Sequence, residues 1–560
     1  MRNTPKRAGG DGEPGDSADP GGVGRRRFLA YAGSGATATL LAGCSDEDLD
    51  DITPTEGGET NDGSDTEDES GTDDEDGGED SNTITIVQDS LPTTLDPHDH
   101  REAVTTRSLA QAYEGLIRRN ADAEIIAQLA TDYERLDDET VRFHLREGVQ
   151  FHSGNEMTAE DVAYSINRTV DPDVGIASPQ ADQLTGVAGA EPSMDGAAVD
   201  VNLTSVNPAV FALFAAYLTV MEREWTESRD DGEVGRQMNG TGPYEVGAYE
   251  EDVELVYERF DDYWGDQPDV AQATFRGSTE SSSRWSALAS GEADLITDLN
   301  PNDAPQVEEN EDTRIDSSPA TRLVFVAMKY NVEPFDSVPF RQAMNYAIDL
   351  DAIIENVLSG FGIALGQPTL PDFFGYNPDV DPYPYDPERA QELVDESPYD
   401  DVSLTLDSPV GDVFGDVQVA QAVAGYISDL DGVSCQVQQR EFASLASELT
   451  DGNMETSPDM YLISWGNASF DTSAIAIPVL ASYGSLTTYA NDDLDELFRA
   501  AEDEPDVEAR RDLYHEAMAL AHDEAPWIYL HQHHNLYGIS ERLDWEARAD
   551  EQIYVKNIGL

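Results

Sequence analysis

The sequence predicts an α/β protein with more than one sheet, and three observations carry that prediction. Stretches that alternate apolar and polar residues in the manner of strands recur from Thr83 onward. Between them lie helix starts with readable caps, so strands and helices alternate through most of the chain. The 560 residues, 39% of them hydrophobic, can bury the cores of two or three domains. No internal repeat is evident.

The N-terminal 44 residues read as an address. Arg25 and Arg26, followed by Arg27, Phe28 and Leu29, have the form of a twin-arginine export signal. The apolar run Ala30 to Ala42 falls short of the roughly 20 residues of a spanning helix, and Gly33 and Gly35 interrupt it. Leu41-Ala42-Gly43-Cys44 has the form of a lipobox, with Cys44 as the lipidated residue. The expected location is the outer face of the cytoplasmic membrane. Residues 45–82 are Asp, Glu, Gly, Ser and Thr with almost nothing apolar, so they cannot form a core; like charges extend them into a tether.

The folded body begins near Thr83, where Thr-Ile-Thr-Ile-Val alternates as a strand. An amphipathic stretch follows from Ala110 to Ile117. Alternation on both sides of Gly148, in the run from Thr140 to Phe151, predicts a hairpin there. Thr158 with Asp161 forms a capping-box-like helix start, and Asp386-Pro387 places an N-cap before a proline at the first helical position. The run Arg322 to Asn331 is apolar enough to be a buried strand.

Charge excludes one class of partner. The formal net charge is -82 and only Lys6, Lys329 and Lys556 represent lysine, so no nucleic-acid partner is expected. The acid is spread along the whole chain, as a solvated coat suited to concentrated salt, where the screening length is about 3 Å. A halophile, an archaeon, is the expected source. The only cysteines, Cys44 and Cys435, leave no structural disulfide and no thiolate metal site. No cofactor is expected.

Among candidate site residues, Met460-Tyr-Leu-Ile-Ser-Trp-Gly-Asn-Ala-Ser-Phe-Asp471 is a buried-type strand running into a polar loop, the kind of strand end where open α/β folds place ligands. Trp465 offers a flat face for a ligand, with Asn467, Ser469 and Asp471 as polar contacts. His531, His533 and His534, with His98 and His100 elsewhere, invite a metal reading. A pair on one face supplies two ligands where metal sites want three or more, so none is assigned.

Several separated strings, in order, resemble one family, the family 5 extracellular solute-binding proteins of ABC importers. They are Leu95-Asp96-Pro97; Tyr113-Glu114-Gly115-Leu116; Val141 to Gly154; Thr158 to Ile166; Gly240-Thr241-Gly242-Pro243-Tyr244; Tyr263-Trp264; Ala287 to Leu295; Val338 to Asp349; Tyr383 to Ala390; and Glu524 to Leu530. The resemblance covers about residues 83–545. It implies a two-lobed, periplasmic-binding-protein-like fold with a hinge, divided at 83–322, 323–529 and 530–560, the last returning to the first lobe. It also implies capture of a peptide-like or other small polar solute by a monomer, with a permease and an ATPase as partners and no catalysis. In peptide-binding members the loop after the strand resembles Trp-x-x-Asp-x-x-Asp-Pro, with the first Asp on the peptide's amino group. Here Trp465 and Asp471 match, Thr472 replaces proline, and Ala468 stands where the amine-binding carboxylate would be. Most other motif residues, among them Gly148, Gly242, Pro243, Arg341, Ala343 and Ala347, read as architectural.

Two other functions fit the address. A surface-anchored hydrolase of the glycosidase type is one, but among 114 acidic residues a suitable pair arises by chance, and neither Gly-x-Ser-x-Gly nor His-Glu-x-x-His is present. A ligand sensor for a membrane receptor is the other.

Overall fold

Alternation at Thr-Ile-Thr-Ile-Val puts Ile84 and Ile86 on one face, and in the computed structural model, which describes residues 82–450 and 456–560, this run is the strand Thr83–Gln88. Arg25, Arg26, Cys44 and all but the last residue of the acidic stretch lie outside the described residues. The chain divides into two units: one of residues 82–204, 214–320 and 534–560, the other of residues 205–213 and 321–533. Two strands, Thr313–Met328 and Trp527–Ser540, carry the chain from one unit to the other.

In the first unit Thr83–Gln88 lies parallel to Gln272–Gly277 on one side and to Leu295–Ile296 on the other. Glu254–Arg259 and Tyr244–Glu250 extend the sheet antiparallel, and Leu295 pairs with Ile539 across its other edge. Ile84, Ile86, Tyr257, Phe275 and Trp545 belong to its core. A separate four-stranded antiparallel sheet has the order Ala130–Asp137, Thr140–Leu145, Ala198–Leu203, Val187–Ser193.

That sheet corrects the hairpin expected at Gly148. Gly148 does turn the chain, at a φ of 74° that favours glycine, but Thr140–Leu145 pairs with the preceding Ala130–Asp137 and with Ala198–Leu203. Only an isolated bridge, Gln150 to Glu156, follows the turn. The real hairpin closes through Asp138-Glu139, which carries no glycine or asparagine to announce it.

Other readings concern local chemistry and appear as such. Thr158 and Asp161 form a reciprocal capping box at the helix Ala159–Val170, and Asp386 caps Pro387–Glu396 through the Arg389 N–H. The helix near the amphipathic stretch is Ala103–Leu109, which ends at the residue before the stretch begins.

The motif strings converge inside the first unit. Glu114 is a buried hub that accepts from Tyr263 Oη at 2.8 Å, Trp264 Nε1 at 2.8 Å, Gln128 Nε2 at 3.0 Å and Thr241 Oγ1 at 3.1 Å. Beside it a Cβ on Gly240 would stand 1.9 Å from the Ala112 carbonyl oxygen, so no larger residue fits. Asp96 makes a buried two-point ion pair with Arg168, at 2.9 and 2.6 Å. Burial pushes the Asp96 carboxyl up, but hydrogen bonds and charge from Arg168 outweigh it and hold the carboxyl below its ordinary range.

His98 and His152 are buried neutral. The His152 ring accepts from Gly240 N–H at Nδ1 and donates from Nε2 to the Gly242 carbonyl at 3.0 Å, which fits the neutral tautomer. Burial pushes its pKa down to about 4, and burial together with Arg168 does the same for His98, also to about 4. The unfolded chain therefore binds more protons between about pH 6.5 and pH 4, so stability is full above that window and is lost as pH falls through it. Each histidine should contribute on the order of 3 kcal/mol of acid destabilisation by pH 4. Denaturant unfolding of His152→Gln and the parent chain in molar KCl checks this: their stability difference should move in favour of the variant as pH falls from 7 to 4. A constant difference would contradict it.

In the second unit the sheet order is Val433–Glu441, Val402–Val410, Met460–Gly466, Thr313–Met328, Trp527–Ser540, with Gly362–Ala364 paired to the last. Val326, Met344, Leu406, Val423, Leu462 and Leu530 belong to its core. Arg341, Ala343 and Ala347 are buried at the helix Val338–Tyr346. Arg341 donates to the carbonyls of Phe335, Glu524 and Ala525, closing the C-terminal end of Val507–Glu524.

Candidate ligand-binding site

The second unit reverses its winding direction between two adjacent parallel strands. Val402–Val410 leads through the helix Asp416–Ser428 to Val433–Glu441 on its outer side. Met460–Gly466, on its inner side and parallel to it at Asp407 and Tyr461, leads through three helices toward Trp527–Ser540. The carboxyl ends of two such strands, where neighbouring connections diverge, are where open α/β sheets leave a crevice for ligand. Trp465 and the loop after it stand at this end.

The loop is built tightly. Trp465 pairs with Leu323, its ring is buried, and its indole N–H donates to the Ala474 carbonyl at 3.3 Å. Asn467 N–H donates to the Thr321 carbonyl at 3.1 Å, while Asn467 Oδ1 accepts the Ser469 N–H at 2.8 Å in an Asx turn. Ser469 is buried. Phe470 takes a left-handed φ of 57° and stacks on Phe373 with centroids 5.1 Å apart. Phe470 O accepts the Phe374 N–H at 2.9 Å, and Phe374 O accepts the Thr472 N–H at 3.1 Å.

Asp471 is engaged on every side. Its carboxylate meets Arg510 through two bonds of 2.7 Å, accepts from Ser473 Oγ at 2.6 Å, and caps the helix Thr472–Leu480 through the Ser473 N–H. Arg510 is walled by the Phe374 ring at 4.7 Å and the Tyr514 ring at 5.0 Å. Burial pulls the Arg510 pKa down, but the Asp471 charge and hydrogen bonds outweigh it and raise it, so Arg510 stays cationic. This geometry gives Asp471 a positioning role. From sequence, Asp471 is expected as a polar ligand contact; Asp-Thr-Ser ahead of an apolar run is the local signal of its capping role, whereas Arg510 and Phe374 come from distant parts of the chain.

The histidines carry less. His531 and His533 alternate along Trp527–Ser540, in register with Ala364 and Gly362. Among the described residues no group of three or more His, Cys, Asp or Glu is placed to hold a metal ion. His98 Nε2 lies 3.0 Å from the Thr219 carbonyl.

Residues 124–486 match the family model described as bacterial extracellular solute-binding proteins, family 5 Middle. The chain belongs to family 5. This solute-binding protein is 26% identical over 449 residues to the glutathione-binding protein GsiB of Salmonella typhimurium, covering 78% of this chain and 86% of that one. It is 25% identical over 451 residues to heme-binding protein A of Haemophilus influenzae, covering 75% and 81%. Its fold is similar to that of the ABC transporter-associated periplasmic binding protein DppA from Helicobacter pylori, solved in complex with the peptide STSA. There the TM-score is 0.68 with 21% identity, over 85% of this chain and 98% of that one. The family 5 protein is thus the substrate-binding component of an ABC importer and not an enzyme.

Proposed function

We propose that this solute-binding protein captures a peptide-like or other small polar solute outside the cytoplasm and passes it to a permease and ATPase, with its two units acting as the two lobes. The observation that carries the reading is the family match across residues 124–486. The loop after Met460–Gly466 is the proposed place for the ligand, with Trp465, Asn467 and Ser469 as its contacts in this reading, while Asp471 holds the loop in place through Arg510. Ala468 brings no carboxylate to that loop, so a peptide's amino group is not recognised by the loop itself. The glutathione and heme of the Salmonella and Haemophilus relatives belong among the ligand classes to be tested.

The address completes the reading. Arg25 and Arg26 direct twin-arginine export, Cys44 carries the lipid, and residues 45–82 give the monomer reach above the outer face of the membrane. A net charge of -82 suits concentrated salt, where self-repulsion is screened.

Thermal unfolding in molar KCl against tetra-alanine, glutathione, heme, nickel–histidine and maltotetraose tests the proposal. One class should raise the melting temperature, since a ligand at 100 times its Kd contributes about 2.7 kcal/mol. No shift with any class would count against it.

A further inference from the structure

Asp412 follows the end of Val402–Val410 and reaches across to the neighbouring strand, where its Oδ2 accepts the Ser464 N–H at 2.9 Å. It therefore sits at the point where the sheet changes winding direction, one residue from Trp465 on the partner strand. Its residue is 8% exposed, and its second oxygen, Oδ1, is buried with no hydrogen-bond partner. Neighbouring groups are already committed. Asp416 Oδ2 accepts the Gly411 and Asp412 N–H groups, and Arg322 Nη1 donates to Ser464 Oγ at 2.8 Å.

A buried carboxylate oxygen with no donor is costly unless something supplies one. Most polar side chains around this strand end are satisfied by the fold; this acceptor is not. We propose that Asp412 Oδ1 receives a cationic nitrogen of the bound solute, an ammonium or a guanidinium, and so sets the solute's orientation at the strand end. Such a contact is charge-assisted and gains most where water is excluded. Burial pushes the Asp412 carboxyl up, and Arg322 and the Ser464 hydrogen bonds oppose the shift. The inference deepens the proposed function and rests on solute capture being correct.

The test uses the full chain in molar KCl and probe pairs that differ only at nitrogen: tetra-alanine and N-acetyl-tetra-alanine, glutathione and N-acetylglutathione, spermidine and its fully acetylated form. In one pair or more the free amine should bind at least about tenfold tighter. In Asp412→Asn, which keeps an acceptor for Ser464 N–H, that gap should close to about twofold or less. Equal affinities within every pair, or a gap unchanged in the variant, would overturn the inference. The comparison within the parent chain does not depend on the variant folding. If heme or nickel–histidine binds while no amine is discriminated, the role of Asp412 fails and solute capture stands. If no probe of any class binds, both fail.

Discussion

Replacing Asp471 by alanine is expected to destabilise the second unit by about 3–5 kcal/mol, because it leaves the Arg510 guanidinium buried without its partner. The pair is nearly inaccessible, with side chains 4% and 5% exposed, and its two bonds of 2.7 Å hold both carboxylate oxygens. Arg510 cannot escape by losing its proton: without Asp471 burial pulls its pKa down, but a guanidinium stays charged in proteins. The substitution also removes the cap of Thr472–Leu480, a further contribution of about 1 kcal/mol. Denaturant unfolding in molar KCl, followed by a probe within the second unit, measures the loss. The double variant Asp471→Ala with Arg510→Met should recover much of it, because a buried pair replaced by apolar groups is often tolerated. A single variant within 1 kcal/mol of the parent, expressed as about a fivefold change in the folding constant, would contradict this account. Asp471 variants would therefore lose ligand through folding, and loss of binding in them would not identify a ligand contact.

Arg168→Ala should have a comparable effect in the first unit, about 3–5 kcal/mol at pH 7, because Asp96 would remain buried beside neutral His98 with no cation. This loss should depend on pH in a definite direction. In the parent chain Arg168 holds the Asp96 carboxyl below its ordinary range, so that pair's contribution is present above about pH 4 and lost as pH falls through the folded pKa. In the variant the carboxyl takes up a proton more readily and the desolvated charge disappears. The stability gap between parent and variant should therefore narrow on acidification, as read from unfolding curves at pH 7 and pH 4. A gap under 1 kcal/mol at pH 7, or one that widens in acid, would count against a buried ion pair here.

What the sequence made legible was whatever is written within a few residues. Alternation at Thr83, the capping box at Thr158 and the Asp386-Pro387 helix start each depend on neighbouring side chains, and each stands where it was expected. The apolar run from Arg322 was readable as a strand, although the strand itself begins at Thr313. Pairing was not legible. Gly148 looked like the centre of a hairpin because apolar and polar residues alternate on both sides of it, yet strand partners are chosen by the core face they can bury, and Thr140–Leu145 found its partners elsewhere. The site divides in the same way. The strand end at Trp465 and the polar loop were visible as local chemistry. The ion pair of Asp471 spans 39 residues and the contact of Asp412 with Ser464 spans 52, so neither leaves a spacing that a reader of sequence could recognise. Composition behaved differently again: a net charge of -82 excluded a nucleic-acid partner as an expectation but said nothing of the ligand.

Capture without chemistry is the central claim, and the most direct measurement is equilibrium dialysis of the full chain in molar KCl against glutathione, tetra-alanine and heme, with each ligand identified by mass spectrometry after the protein is denatured. Saturable binding of one of them, with every molecule recovered unchanged, is the predicted result. Steady disappearance of a bound ligand, with a product accumulating in proportion to protein and time, would contradict it.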